Sequence, residues 1–200
     1  LVRSVTTTYD THFFNSTWAE QSPDDWWKAV CEGTKEVLRG TDAHQVAGMA
    51  FSGQMMGCVV VDCKGRPLRP AIIWADQRSQ AQEATLRNAM DEQEFYRITG
   101  HKISASYSIE KLMWIRDNEP DVFRSVHKML QPKDYILFRL TGKFMTDYSD
   151  ASGTNCLDLK RLVWSQRILD TARIDASLLT ELYPSTHVAG EITASVATEC

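Results

Sequence analysis

The spacing of apolar positions predicts an α/β protein in which extended segments lead and helices follow. Residues 2–9 are rich in β-branched side chains and read as a strand. Ser22-Pro23-Asp24-Asp25 is a helix start: a hydroxyl cap, a proline in the first turn, then acids near the positive end of the helix dipole. Trp26, Val30 and Val37, with Trp27 and Leu38, recur at helical spacing to about Arg39, and Gly40 ends the run. That period makes the two tryptophans core residues rather than a stacking platform. Residues 46–51 and 70–73 read as short buried strands, each emptying into a polar loop. Between them lie an apolar stretch at 58–61 and a surface turn at Lys64-Gly65-Arg66-Pro67.

Helices are expected over 79–90, 92–98 and 109–118, with a loop at 99–105. The third helix stops before Pro120 and carries Leu112, Met113 and Ile115 as its buried stripe. A brief strand at 128–131 precedes a Pro-Lys-Asp helix start whose apolar face includes Tyr135, Ile136, Phe138 and Leu140. Residues 164–172 form a further amphipathic helix around Ile168 and Leu169, and 194–200 opens another. The sheet should be mixed and packed by helices. There is no internal repeat, low-complexity tract or linker.

Composition narrows the function without naming it. The chain has 200 residues, 43% hydrophobic and 24% charged, enough to bury a sizeable core. A net charge of −4, with no long basic run, argues against a nucleic-acid surface. No apolar stretch approaches the roughly 20 residues needed to cross a bilayer, and no signal peptide is evident. The five cysteines show no CxxC pair and are expected as free buried thiols of a reducing cytoplasm; the five histidines show no ligand spacing, so no metal site is expected. Leu1 is not an initiator methionine and Cys200 falls inside a helix start, so the chain is expected to be a fragment.

The candidate chemistry lies between Phe51 and Arg78. At Ser52-Gly53 a glycine allows a sharp bend and close approach to a ligand. Gln54, Met55 and Met56 follow, and the next apolar run ends on Trp74, Asp76 and Arg78, spaced so as to share a face if extended. An apolar wall with a few fixed polar groups suits a small polar ligand; a hairpin followed by a capped helix start is the plainer alternative.

The same stretch resembles the sugar-binding loop of the FGGY carbohydrate kinases, the family of xylulokinase, glycerol kinase and gluconate kinase. Xylulokinases are similar in a Gly-Gln-Met-His-Gly loop and a Pro-Ala-Ile-x-Trp-x-Asp-x-Arg segment. Upstream, Trp18-Ala19-Glu20-Gln21-Ser22-Pro23-Asp24-Asp25-Trp26-Trp27 resembles the family's Trp-x-Glu-Gln-x-Pro-x-x-Trp-Trp. Downstream come Thr99-Gly100, Lys111-Leu112-Met113-Trp114, Pro132-Lys133-Asp134-Tyr135 with Leu140-Thr141-Gly142, and Thr146-Asp147-Tyr148-Ser149-Asp150-Ala151-Ser152-Gly153-Thr154. Asp158, Trp164 and Gly190-Glu191-Ile192-Thr193 continue the match in order and approximate spacing over nearly the whole chain.

The resemblance implies a ribonuclease-H-like, actin-like domain with its first hairpin missing: residues 1–200 as the N-terminal sugar-binding domain, incomplete at both ends, without the second, nucleotide-binding domain. It implies an ATP-dependent kinase in which a carboxylate takes the proton of a sugar hydroxyl as that hydroxyl attacks the terminal phosphate. ATP and Mg2+ would serve the intact enzyme, and none is expected on these residues. The family's early Asp-x-Gly-Thr loop would precede Leu1 and its catalytic aspartate would follow Cys200. No catalytic residue is therefore assigned, and the fragment alone should be inactive. Asp150-Ala151-Ser152-Gly153-Thr154 looks like the phosphate loop but matches a different family motif.

Within the implied sugar wall, Gln54, Met55, Met56, Trp74, Asp76, Arg78 and Tyr107 are the candidate substrate-binding residues. Asp76 and Arg78 either orient substrate or brace the loop as an ion pair. Tyr107 stands where some relatives stack an aromatic on the substrate. Asp147 and Asp150 are read as turn caps and Asp134 as a first-turn acid. Met56 replaces the family's histidine and cannot donate to a ketose hydroxyl, which leaves a pentulose, another sugar, a polyol or a sugar acid open. Glycerol kinases carry an Arg-Glu pair at this point of the loop, so glycerol is disfavoured. The partner is a small-molecule sugar in the cytoplasm, with no nucleic acid and no membrane; a homodimer stays open. The alternative is a non-catalytic sugar-binding or interaction domain on the same fold.

Overall fold

The computed structural model describes residues 2–200. Strands β1 (His12–Phe14) and β2 (Trp18–Gln21) form a hairpin, with Asn15 and Ser16 taking the left-handed conformation that its turn requires. Helix α1 (Pro23–Leu38) starts as its sequence dictates: Ser22 Oγ accepts from the Asp25 N–H at 3.3 Å. Its C-terminal carbonyls are met from outside, for Arg3 donates to Glu36 O at 3.0 Å and Val37 O at 3.3 Å. Strands β3 (Val59–Val61) and β4 (Ala71–Ile72) are separated by a turn in which Asp62 accepts from the N–H groups of Lys64 and Arg66, and Gly65 supplies a φ of +74°.

Helices α2 (Gln80–Ala89), α3 (Glu92–Thr99) and α4 (Ser108–Asn118) follow where the periodicity puts them, then a short α5 (Pro120–Arg124). Strand β5 (Lys128–Leu130) leads into α6 (Pro132–Thr141), whose Gln131 and Asp134 form a reciprocal cap at its first turn. Strand β6 (Met145–Asp147), helix α7 (Tyr148–Ser152), the hairpin β7 (Leu157–Asp158) and β8 (Val163–Trp164), helix α8 (Gln166–Ala172), strand β9 (Glu181–Tyr183) and helix α9 (Ala194–Glu199) complete the chain.

The pairing is mixed. Strands β1, β2 and β4 form an antiparallel sheet, β3 pairs antiparallel with β5, and β6 pairs parallel with β9. A bridge between Cys58 and Ile72 joins the start of β3 to β4. Strand β3 is apolar on both faces because each face meets a core. Val60 points into a cluster with Ile72, Leu86, Ile109 and Leu112, whereas Val59 and Val61 join Trp26, Trp27, Leu130 and Tyr135.

Four expectations need correction. Residues 2–9 and 46–51 are not strands: each runs without a partner strand among the described residues, and Val46, Met49 and Phe51 are exposed. β-Propensity sets a preference for extension, but a strand exists only where a second one pairs with it. Trp164 belongs to β8, and the helix begins after Ser165, whose hydroxyl accepts from the Ile168 N–H at 3.4 Å. The thiols also divide. Cys58 and Cys156 are free and buried and Cys63 is free but exposed, whereas α9 packs beside α1 and a disulfide joins Cys31 to Cys200 across 169 residues of sequence.

Candidate functional site

Loop 53–57 leaves the surface and dives into the core at Gly57, and side chains, not a strand, hold its backbone there. The Gly57 N–H donates to Gln131 Oε1 at 3.1 Å, and Ser108 Oγ donates to Gly57 O at 2.7 Å. Gln131 Nε2 in turn donates to Ser108 Oγ at 2.9 Å. Lys111 Nζ donates to Met56 O at 2.5 Å and also to Ser106 O. Ser108, Lys111 and Gln131 are each no more than 1% exposed, so these groups have no water to turn to. Gly57 has no room for a side chain, since a Cβ there would lie 2.6 Å from Pro132 Cγ. At Gly53 the close approach is to Lys133, whose Cβ would lie 3.0 Å from an added Cβ. The glycines thus fit the loop onto the first turn of α6.

Met56 sits at φ +62°, a conformation that costs a non-glycine residue roughly 1 kcal/mol. Its neighbour Met55 is 40% exposed and packs over Gly153. Gln54 turns inward: its Nε2 donates to Gln21 Oε1 at 2.7 Å, the same oxygen that accepts from Trp26 Nε1 at 3.0 Å. Its own carbonyl oxygen has no protein donor among the described hydrogen bonds.

Of the second group, Trp74 is 52% exposed, while Asp76 and the Arg78 guanidinium are fully buried. Asp76 Oδ2 accepts from the Ala19 N–H at 2.5 Å and from Arg78 Nη2 at 2.8 Å; Asp76 Oδ1 accepts from the Arg78 N–H at 2.9 Å. Arg78 also lies 2.7 Å from Glu20 Oε1, and its guanidinium stacks 3.9 Å over the Trp18 ring. Glu20 carries a second cation, Arg69, at 2.5 Å. These polar atoms are spent inside the protein, which fits the bracing alternative.

Tyr107 caps α4 and is half-buried; its hydroxyl lies 3.2 Å from His101 Nδ1, and His101 Nε2 lies 2.9 Å from Ser152 Oγ. Burial holds the His101 imidazolium below its ordinary pKa and, with Glu110 nearby, raises the Tyr107 phenol. Tyr107 reaches the Met55–Met56 loop through one side chain, because Lys111 holds the carbonyls of both Met56 and Ser106.

Below Gly53, Lys133 Nζ pairs with Asp147 and lies 3.3 Å from Asp150 Oδ2. Asp147 does cap α7, accepting from the N–H groups of Ser149 and Asp150 at 2.8 and 3.2 Å. Burial opposes its charge, but Lys133 and Ser149 hold its carboxyl well below the usual range. Asp150 is no cap; burial pushes it up to about 6 against the pull of Lys133. Asp134, buried and facing Asp150, is raised as well. Among the described residues no three His, Cys, Asp or Glu side chains converge as a metal-ligand set.

Sequence reasoning quoted Lys111 only as part of a motif and passed over Ser108 and Gln131. Only the structure reveals them: Ser108-Ile109-Glu110-Lys111-Leu112 is buried on every side, so its polar members require partners.

The model of the N-terminal domain of the FGGY carbohydrate kinases matches residues 1–200. Xylulose kinase of Staphylococcus xylosus is 33% identical over 98% of this chain and 41% of its own length; that of Escherichia coli is 37% identical over 90% and 37%. Among solved structures, gluconate kinase of Lactobacillus acidophilus superposes with a TM-score of 0.92 at 30% identity, over 99% of this chain and 40% of that one. Ligand-bound xylulose kinase from the same organism gives 0.91 at 30% identity over the same shares. The chain thus spans about two fifths of the length of the relatives it matches, and its fold is the actin-like ATPase fold that these kinases share. From its sequence, its fold and the match along its whole length, the chain belongs to the FGGY family of carbohydrate kinases.

Proposed function

We propose that the intact polypeptide phosphorylates a hydroxyl of a small sugar or a related polyol or sugar acid at the expense of ATP, with this chain supplying one wall of the sugar site. The observation that carries this reading is the loop 53–57: its backbone is fixed by Ser108, Lys111 and Gln131, while Met55 stays exposed and the Gln54 carbonyl lacks a protein donor. An amide and two thioethers held on a rigid backbone make a mixed polar and apolar contact for a carbohydrate. Trp74 and Tyr107 add aromatic surface to that wall, and Asp76 with Arg78 braces the segment that carries Trp74.

Lys133 already engages Asp147 and Asp150, the paired carboxylates beneath Gly53, so these acids are given no magnesium role. ATP and Mg2+ belong, in this reading, to the remainder of the intact polypeptide. A groove of about 670 Å³ supports the view that more of that polypeptide packs here. Its floor is Trp26, Val30, Ile136 and Leu140, and its rims are Val5, Thr7 and Tyr9 on one side and residues 46–53 on the other, neither paired with a strand among the described residues. A strand laid between those rims would satisfy both edges.

The test is ADP release by the intact polypeptide across pentoses, hexoses, polyols and sugar acids. Saturable turnover on at least one of them is expected, and none on any would overturn the reading. Sugar binding without turnover would instead support the non-catalytic alternative, which the absence of a donor at Met56 favours.

A further inference from the structure

We propose that Lys111 is the positioning residue of this site: one buried ammonium fixes the backbone of Met56 and ties it to the loop that carries Tyr107, so that both loops meet a ligand as a single rigid wall. This rests on the reading of loop 53–57 as sugar-facing. Lys111 is fully buried in α4, between two loops that make no strand pairing with each other. Its Nζ donates to Met56 O at 2.5 Å and to Ser106 O, one residue before Tyr107.

Two features make this more than ordinary core satisfaction. First, Met56 is held at φ +62°, where a methionine does not stay unless something retains its peptide group. The retained carbonyl therefore decides where the Met56 side chain goes. Second, the cation has little else to do. Burial drives it down to about 8 even though Cys58, Asp76 and Glu110 favour the charged form, and Arg78 opposes it. Both of its described hydrogen bonds go to backbone carbonyls of the two candidate ligand loops. A charged group retained at that cost makes charge-assisted bonds, the kind that hold a backbone most firmly.

The test has one readout with ligand and one without. In the intact polypeptide, Lys111→Met should raise the sugar KM about tenfold or more, the effect of losing one charge-assisted bond, with the ATP KM changed less than about twofold. Lys111→Arg, which keeps the charge and can still donate, should recover most of the sugar KM. Equal changes in both KM values, or no recovery by arginine, would overturn the proposal. Without ligand, a thermal double-mutant cycle pairs Lys111→Met with Met56→Asn, since asparagine tolerates the left-handed conformation. Release of the strained methionine offsets part of the Tm loss caused by Lys111→Met, so that loss should grow in the Met56→Asn background, where there is no such strain to release, and additive losses would again overturn it. If the intact polypeptide turns over no sugar at all, the proposed activity fails, and the thermal cycle still decides whether Lys111 holds Met56.

Discussion

The floor of the site and its outer rim are neighbours in sequence but opposites in physical state. At the two ends of the stretch from Gly57 to Arg78 the buried polar groups are answered: Gly57 by Gln131 and Ser108, Asp76 by Ala19 and Arg78, Arg78 by Glu20 and Trp18. From Val46 to Gly53 the chain is exposed and pairs with no strand among the described residues, and it borders an apolar groove across from Val5, Thr7 and Tyr9. Both stretches open on apolar runs, Cys58 to Val61 and Val46 to Phe51. What separates them is the presence of partners: the first runs through β3, which lies between two cores, and the second has no neighbouring strand among the described residues. The candidate ligand-facing residues 54–56 sit where one state changes into the other, with the Met56 carbonyl held by Lys111 and Met55 40% exposed.

That contrast can be broken first at its strongest point. Replacing Asp76 with Ala leaves the Ala19 N–H buried without its acceptor and the buried Arg78 guanidinium with Glu20, already shared with Arg69, as its remaining carboxylate, and should cost about 3–5 kcal/mol in chemical denaturation. A loss under about 1 kcal/mol would mean that the floor is not braced by this pair. The rim is next. If a segment of the intact polypeptide fills the groove, Val46→Asp should cost roughly 2 kcal/mol or more there, because it buries a charge beside apolar neighbours. A change within about 0.5 kcal/mol, the usual range for an exposed position, would mean that the groove stays open.

The third test concerns the acids beneath Gly53. Asp150 has its folded pKa raised to about 6, so the folded state holds its proton above the pH at which the unfolded chain has released it. Its favourable contribution is complete below about pH 4 and is lost as pH rises through about 6. Asp150→Asn should therefore flatten the decline in stability between pH 4 and pH 6.5 and gain on the order of 1–2 kcal/mol at pH 7. An unchanged pH profile would place the titrating group elsewhere, with buried Asp134 the next candidate.

Much of the fold was legible because helices advertise themselves locally. Ser22-Pro23 and the Gln131–Asp134 cap begin helices where the pattern says they begin, and Gly142 ends one in the left-handed conformation. The short strands were harder, because β6 and β9 pair in parallel across some 35 residues and carry no local turn signal. The candidate site was legible as a set of residues through family resemblance, but not as a geometry. That Asp76 and Arg78 face inward follows from Ala19, Glu20 and Trp18, which are more than fifty residues away in sequence. The tie between Met56 and Ser106 depends on a lysine that reads, in sequence, as one more charge on a helix.

The central claim, that loop 53–57 faces a sugar, is tested most directly at Gln54. The intact polypeptide should show a sugar-induced rise in Tm that Gln54→Ala abolishes, while the Tm without sugar falls by only a few degrees through loss of the bond to Gln21. An undiminished sugar-induced shift in Gln54→Ala would remove this loop from the site and contradict the account.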